Sequence, residues 1–366
     1  MTQAASDARF MTLALSLGGR GLGRVWPNPA VGCVIVSQGR IVGRGWTADG
    51  GRPHAETIAL KQAGAAASGA TAYVTLEPCA HHGKTPPCAQ ALIAAGVARV
   101  VSALEDPDVR VAGKGHAMLQ DAGIEVATGV GQAAALQTHS GFLKRVEDGR
   151  PMVTLKLANS FDGRIATATK ESQWITGTQA RRMVHLMRAR HDAVMVGGGT
   201  ARSDDPMLSV RDLGVDRQPV RVVVSRRLDL PLGGKLATTA QDVPLWLCHG
   251  ADADRSLMDV WTGLGARLLP CDVRQGVLDP ASILQALGTA GLTRVFVEGG
   301  GAFAASLLGA GLVDELIGFT AGIAIGAEGV PSLGPMGLQR LAAAPRFRLL
   351  DCRPVGGDVM HRWVRG

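Results

Sequence analysis

Two short stretches constrain this chain more than any others: His54-Ala55-Glu56, and Glu77-Pro78-Cys79 continuing through Ala80-His81-His82-Gly83-Lys84-Thr85-Pro86-Pro87 to Cys88. One imidazole and two thiols are a complete protein ligand set for a catalytic zinc, with the fourth tetrahedral position left to water. Zinc lowers the pKa of such a water towards neutrality, so hydroxide is available at ordinary pH. Glu56 is placed to carry that water's proton without being a ligand. The alternatives are ordinary core residues, or a structural zinc site short of its fourth ligand. The proline before Cys79 and the apolar run 72–76 leading into it favour catalysis.

H-x-E followed by P-C and a second Cys is the pattern of zinc deaminases. One departure stands out: eight residues separate Cys79 from Cys88, where the general pattern has two. The inserted segment is polar, basic and rich in turn residues, and is expected to reach towards substrate.

A chain of 366 residues exceeds one ordinary core, so two domains are expected. A net charge of +7 points to nucleic acid or to phosphorylated small molecules. There is no run of five Lys/Arg, and aromatics make up only 4%, which disfavours a stacking platform for single strands. Of the six cysteines only Cys79 and Cys88 have suggestive spacing, which argues for a reducing compartment rather than a disulfide framework. The N-terminus shows no secretory pattern and no stretch reaches 18 uninterrupted apolar residues, so the cytoplasm is the expected location.

The first half reads as alternating elements. A helix over 4–18 precedes Trp26-Pro27-Asn28-Pro29, a rigid extended turn. Strands at 30–37 and 40–46 flank Gln38-Gly39 as a hairpin. Asn28 thus stands at a strand entrance, where its amide either reads a heterocycle edge or turns the chain. A helix from His54 to Gln62 puts the imidazole on a first turn, where the positive helix end favours an anion. Strands 72–76, 99–103 and 125–127 and helices 89–95, 114–122 and 133–144 complete a three-layer α/β domain. The polar segment Glu147-Asp148-Gly149-Arg150-Pro151 is the expected boundary, giving domains 1–147 and 151–366.

The second half restarts with strands at 152–160, 193–196, 220–224, 245–248, 295–297 and 316–320, and helices at 179–190, 280–290 and 303–309, the first N-capped by Thr178. Two features suggest a nucleotide. Gly299-Gly300-Gly301-Ala302 follows a strand and precedes a helix, which presents backbone N–H groups to a pyrophosphate. Too few residues follow it for a whole doubly wound dinucleotide fold. Ser225-Arg226-Arg227, at a strand end, offers a hydroxyl and guanidinium to a 2′-phosphate. A tight turn and a solvated charge cluster are the plain alternatives. Asp204-Asp205, beside Gly197-Gly198-Gly199-Thr200, either orient a substrate or cap the loop.

Along essentially its whole length the chain resembles the bifunctional deaminase–reductase family of riboflavin biosynthesis. The resemblance lies in PNPAVGCVIV (27–36), HAE (54–56), TAYVTLEPCAHHGKTPPC (71–88), GFLKR (141–145), ESQWITG (171–177), DDPMLSVR (204–211), VEGGG (297–301) and GLVDELI (311–317). It implies a cytidine-deaminase-like three-layer α/β domain followed by a dihydrofolate-reductase-like α/β domain. The first would release ammonia from 2,5-diamino-6-(5-phosphoribosylamino)pyrimidin-4(3H)-one, with zinc on His54, Cys79 and Cys88 and with Glu56 moving protons. Asn28 would hold the ring; His81, His82 and Lys84 would contact the ribose phosphate.

The second domain would use NADPH to turn the ribosyl side chain into ribityl phosphate. Ala158, Trp174, Thr200, Asp204, Ser225, Gly299, Gly300 and Gly301 would line the cofactor. Ser172, Arg188, Leu208, Arg211 and Glu298 would face substrate, with arginines meeting the phosphate as a bidentate fork. Two local departures are the absence of a proline in 318–326 and the glycine-richness of 197–199. The partners implied are phosphoribosyl pyrimidines and further copies of the chain, without nucleic acid or membrane. The competing reading is a nucleoside or tRNA base deaminase with a non-catalytic C-terminal binding module. That protein should lack ESQWIT and needs an exposed basic or aromatic platform.

Overall fold

The computed structural model describes residues 2–80, 86–109 and 111–366. The chain forms two compact units, Met1–Gly149 and Arg150–Gly366, dividing inside the polar segment 147–151. In the first, β1 (Gly32–Ser37), β2 (Arg40–Trp46), β3 (Thr71–Val74), β4 (Arg99–Ser102) and β5 (Glu125–Thr128) form one sheet in the order β2-β1-β3-β4-β5. β1 is antiparallel to β2 and β3, and β3, β4 and β5 are parallel. Gln38 and Gly39, with φ of 49° and 74°, make the tight two-residue hairpin turn that matches strand twist.

Helices α1 (Gln3–Gly18) and α5 (Gln132–Asp148) contact each other, as do α2 (Ala55–Ala63) with α3 (Cys88–Ala94), and α3 with α4 (Lys114–Asp121). Glycines set the spacing of helix and sheet. A β-carbon on Gly32 would lie 1.8 Å from the Ala14 carbonyl oxygen of α1. On Gly43 and Gly45 it would lie 2.2 Å from the carbonyl oxygens of Ala59 and Ala55 in α2. Alternate strand residues share a face, so α2 seats on β2 backbone to backbone. Buried Asp7 pins α1 to the sheet: it accepts two bonds of 2.9 Å from Arg99 of β4 and one of 2.8 Å from the Tyr73 hydroxyl of β3.

The second unit is built on a nine-stranded sheet. Its strands are β6 (Met152–Ser160), β8 (Ala193–Gly197), β9 (Val220–Val224), β10 (Leu245–His249), β11 (Arg267–Pro270), β14 (Arg294–Val297), β15 (Glu315–Ala321), β17 (Phe347–Val355) and β18 (Asp358–Arg365), in the order β11-β10-β9-β8-β14-β6-β15-β18-β17. Two ribbons flank it, β7 (Arg164–Ala166) with β16 (Val330–Pro331), and β12 (Val273–Arg274) with β13 (Val277–Leu278). From β11 to β15 all neighbours are parallel, and β18 and β17 add an antiparallel hairpin. The continuous burial of β10 and β14 fits a parallel sheet covered on both faces. The helices are α6 (Thr178–Ala189), α7 (Gly198–Asp204), α8 (Lys235–Thr238), α9 (Arg255–Gly263), α10 (Pro280–Thr289) and α11 (Gly301–Gly309). Asp192 draws β14 in beside β8: its buried carboxylate accepts from the Thr293 N–H at 2.6 Å, the Thr293 hydroxyl at 2.7 Å and the Arg294 N–H at 2.8 Å.

Several sequence expectations are corrected. Thr178 is not an N-cap: Gly177 holds that place and Thr178 is already helical, its hydroxyl accepting from Arg181 at 3.1 Å. The glycines at 198–199 open α7 instead of forming a loop, and α11 begins at Gly301, two residues before Phe303. The β17–β18 hairpin and α9 had no counterpart in the sequence reading. Among the described residues no helix is long and apolar enough to cross a membrane.

Burial raises the Asp7 carboxyl, but the Arg99 and Tyr73 hydrogen bonds outweigh it and hold the group below the usual carboxylate value. A group held low stabilises the fold above its ordinary pKa of about 3.9, and that contribution is lost as pH falls through the lowered value. Asp7→Asn should therefore lower the first unit's stability by about 3 kcal/mol at neutral pH. It should also remove part of the acid sensitivity seen by calorimetry between neutral pH and about pH 3.

Candidate active sites

The first site follows from where α2 starts. Its seating on Gly43 and Gly45 leaves His54 as the N-cap, with φ −72° and ψ 160° and no side-chain capping bond. The ring turns to the thiols instead: Nδ1 lies 3.2 Å from Cys88 Sγ and 3.7 Å from Cys79 Sγ. Cys79 follows β3, and Cys88 opens α3, donating its N–H to Cys79 Sγ at 3.3 Å. All three ligand atoms lie within 4.8 Å of one another. Tetrahedral bonds of about 2.0–2.3 Å to nitrogen and sulfur place ligand atoms roughly 3.5–3.8 Å apart. The triangle therefore fits zinc.

Proton placement supports the fit. A hydrogen bond from the Cys88 thiol, joined by one from His54 and opposed by burial, pulls Cys79 down to about 4. The same bond to Cys79, with burial, pushes Cys88 well up, and contact with Cys79 raises His54. The thiol pair thus holds a proton that a cation would displace. Glu56, in the first turn of α2, is buried, and burial raises its pKa against the opposing pull of His54. That moves the carboxyl towards the range where it both takes and gives a proton.

A cavity of about 330 Å³ opens over this group, lined among others by Asn28, Glu77, Asp106, Asp108, Phe142 and Arg145. Asn28 stands in the wall of this cavity. It ends a turn, its N–H donating to the Val25 carbonyl at 3.0 Å. Its amide packs on Gly51, where a β-carbon would fall 1.9 Å from Nδ2. Asp106, Asp108 and Arg145 were missed as lining residues. Their signal lies in the paired carboxylates of Asp106-Pro107-Asp108 after strand 99–103, and in the GFLKR stretch. His81, His82 and Lys84 lie outside the described residues.

In the second unit a cavity of about 260 Å³ gathers Lys156, Ala158, Ser172, Trp174, Arg181, His185, Arg188, Arg211 and Glu298. Lys156, Arg181 and His185 carried no sequence assignment. Partly buried Glu298 accepts from Arg188 Nε and, at 3.0 Å, from Nη2, with Lys156 Nζ 3.9 Å away. Arg188 Nη1 donates to the Ser209 carbonyl at 2.7 Å. The paired donors of Arg188 face Glu298 in this structure; Arg211 and Arg181 are the other guanidinium groups lining the cavity. Arg181 also stacks on Trp174, 4.6 Å from the ring centroid. Leu208 is 3% exposed and does not line the cavity.

Thr200, Asp204, Ser225 and Gly299–301 lie outside that cavity; Ser225 and Gly299 just follow the carboxyl ends of β9 and β14, Thr200 stands in the first turn of α7 after β8, and Asp204 ends α7. Gly300, with φ 73°, caps α11, and a β-carbon on Gly299 would stand 3.0 Å from Thr200 Oγ1. A backbone cradle at the carboxyl ends of parallel strands, opening a helix, suits the pyrophosphate of a dinucleotide. Ser225 and Arg226 are both engaged within the chain. Ser225 is buried and donates to Asp229 at 2.9 Å, while Arg226 pairs with Asp252 at 2.7 Å and donates to the Gly276 carbonyl at 2.6 Å. Asp205 caps, accepting the Lys235 N–H of α8 at 2.7 Å; Asp204 accepts from Ser203 at 2.6 Å.

A metal-ready His–Cys–Cys triangle with a buried glutamate, followed by a parallel sheet with a glycine cradle, defines a zinc deaminase joined to a nucleotide-dependent reductase. Comparison with known proteins agrees. Residues 4–104 match the cytidine and deoxycytidylate deaminase zinc-binding region, and residues 151–361 match the RibD C-terminal domain. The chain is 43% identical to riboflavin biosynthesis protein RibD of Escherichia coli (strain K12), over 96% of this chain and 98% of that protein. The solved structure of Acinetobacter baumannii RibD, form 1, superposes with a TM-score of 0.89 at 39% identity, covering 100% of both chains. A diaminohydroxyphosphoribosylaminopyrimidine deaminase/5-amino-6-(5-phosphoribosylamino)uracil reductase of Thermotoga maritima gives 0.87 at 32%, again over 100% of both. The chain belongs to the RibD family of bifunctional riboflavin-biosynthesis deaminase–reductases, whose cofactors are zinc and NADPH.

Because the Cys88 thiol must shed its proton to ligate, zinc affinity should rise with pH; competition against a chromophoric chelator between about pH 6 and 8 measures it. Cys88→Ser should lose the metal across that range.

Proposed function

We propose that the first unit deaminates 2,5-diamino-6-(5-phosphoribosylamino)pyrimidin-4(3H)-one and that the second reduces the product's ribosyl side chain to ribityl phosphate, the assignments spanning 1–147 and 151–366. The observation that carries this reading is the His54–Cys79–Cys88 triangle with buried Glu56 beside it. Bound zinc supplies Lewis acidity that makes a water nucleophilic near neutral pH. Glu56 takes a proton from the attacking water to the adjacent ring nitrogen, then passes the added hydroxyl's proton to the amino nitrogen, which leaves as ammonia as the ring carbon becomes a carbonyl. Asn28 holds the pyrimidine edge; His81, His82 and Lys84 meet the ribose phosphate.

NADPH, when bound, supplies hydride to C1′ of the opened ribose. Ala158, Trp174, Thr200, Asp204, Ser225 and Gly299–301 are assigned to it. Ser172, Leu208, Arg188, Arg211 and Glu298 are assigned to substrate, Arg188 acting from its pairing with Glu298, so that Arg211 is the direct phosphate partner. The enzyme works on small molecules in the cytoplasm as a homo-oligomer, without nucleic acid.

A paired assay tests the whole reading. Ammonia should appear without NADPH, and NADPH should be consumed once deamination has run, with chelation stopping only the first step. If ammonia is never released, the assignment of the first unit is wrong. Glu56→Gln should retain zinc and lose at least about 10²-fold in deamination. Arg211→Ala should raise KM for the reduction about tenfold and leave kcat in place, since a remote phosphate contact acts on binding.

A further inference from the structure

Glu77 lies two residues before Cys79, in the wall of the first cavity, and is buried. Its carboxylate is nearly saturated by main-chain donors. Oε2 accepts from the N–H of Asp106 at 3.1 Å and of Gly113 at 3.0 Å, and Oε1 from Gly115 at 2.8 Å and His116 at 3.2 Å. His116 Nδ1 stands 3.9 Å from Oε2. A carboxylate is the side chain that accepts four such bonds while donating none.

The donors belong to one segment. It leaves β4, carries Asp106 and Asp108 along the cavity wall and enters α4. Gly113, the N-cap of α4, has φ 76° and offers no side-chain cap, so the helix's unsatisfied N–H groups are taken up by Glu77 from a distance. Asp106 is thereby fixed at its own N–H, and its carboxylate accepts the Asp108 N–H at 2.9 Å. The contact is close: a β-carbon on Gly115 would fall 1.9 Å from the Pro78 carbonyl oxygen and 3.1 Å from Glu77 Oε1.

We propose that Glu77 is a positioning residue for deamination: it clamps the 106–116 segment so that Asp106 and Asp108 shape the pyrimidine side of the cavity. The proposal rests on the deaminase reading above. Glutamine in its place keeps the shape but turns an NH2 towards two N–H donors, so half of the clamp is lost.

The test uses the full-length, zinc-loaded protein. Glu77→Gln should raise KM for the diaminopyrimidine ribosyl phosphate at least about tenfold, with kcat within about twofold of the unaltered chain. Zinc content and NADPH consumption on the deaminated intermediate should not change, and amide exchange at 113–116 should accelerate. Gly115→Ala, which displaces the segment but keeps the carboxylate, should reproduce the KM rise with zinc retained. An unchanged KM in either variant overturns the proposal, as does a fall in kcat together with zinc loss, which would make Glu77 a support for Cys79. Failure of the unaltered chain to release ammonia would instead sink the deaminase reading, and the exchange measurement would still report on the clamp.

Discussion

The backbone contact between α2 and β2 governs the deaminase centre. Without β-carbons at Gly43 and Gly45 the helix sits low enough on the strand for its N-terminus to meet the end of β3. His54, Cys79 and Cys88 come from three different elements, and only that depth brings their ligand atoms within 4.8 Å. Close packing passes small shifts on instead of absorbing them. A bulkier residue at either glycine would therefore move the imidazole as much as the helix. Tight helix–sheet contact and the metal centre are one design.

The second unit organises its chemistry differently. Parallel strands deliver their carboxyl ends to one side, and Gly299–Gly301, Thr200 and Ser225 gather there from β14, α7 and β9. The adjoining cavity is held by a partly buried charge cluster in which Glu298 joins Arg188 and approaches Lys156. Such a carboxylate serves mainly to orient cations that would otherwise repel one another. Burial holds Lys156 below its usual pKa against the opposing pull of Glu298.

The metal ligands were legible in the sequence because their chemistry is carried by residue type and short spacing. The strand pattern of the first unit was legible for the same reason: burial period and turn residues are local. What escaped depends on distance along the chain. Arg188 and Glu298 are separated by 110 residues, and nothing near either one names the other. Glu77 stood inside a quoted motif yet showed no role, since its partners are main-chain N–H groups 29 to 39 residues away. Gly198 and Gly199 read as a loop because glycine is a poor helix former, and tertiary packing overrode that preference. The β17 strand alternates too irregularly to announce itself, most of its residues being exposed.

That last hairpin has a consequence for how the protein behaves in a crowded solution. The nine-stranded sheet ends on one side in β11, four residues long and finishing at Pro270, and on the other in β17. β17 carries Arg348, Asp351, Arg353 and Pro354, and its register slips between Leu349 and Asp351. A short strand, a proline, alternating charge and a bulge are the features that stop a stray strand from docking on an open edge. A large apolar parallel sheet, slow to assemble and prone to misassociation while it does, is thus fenced at both margins against unprogrammed growth.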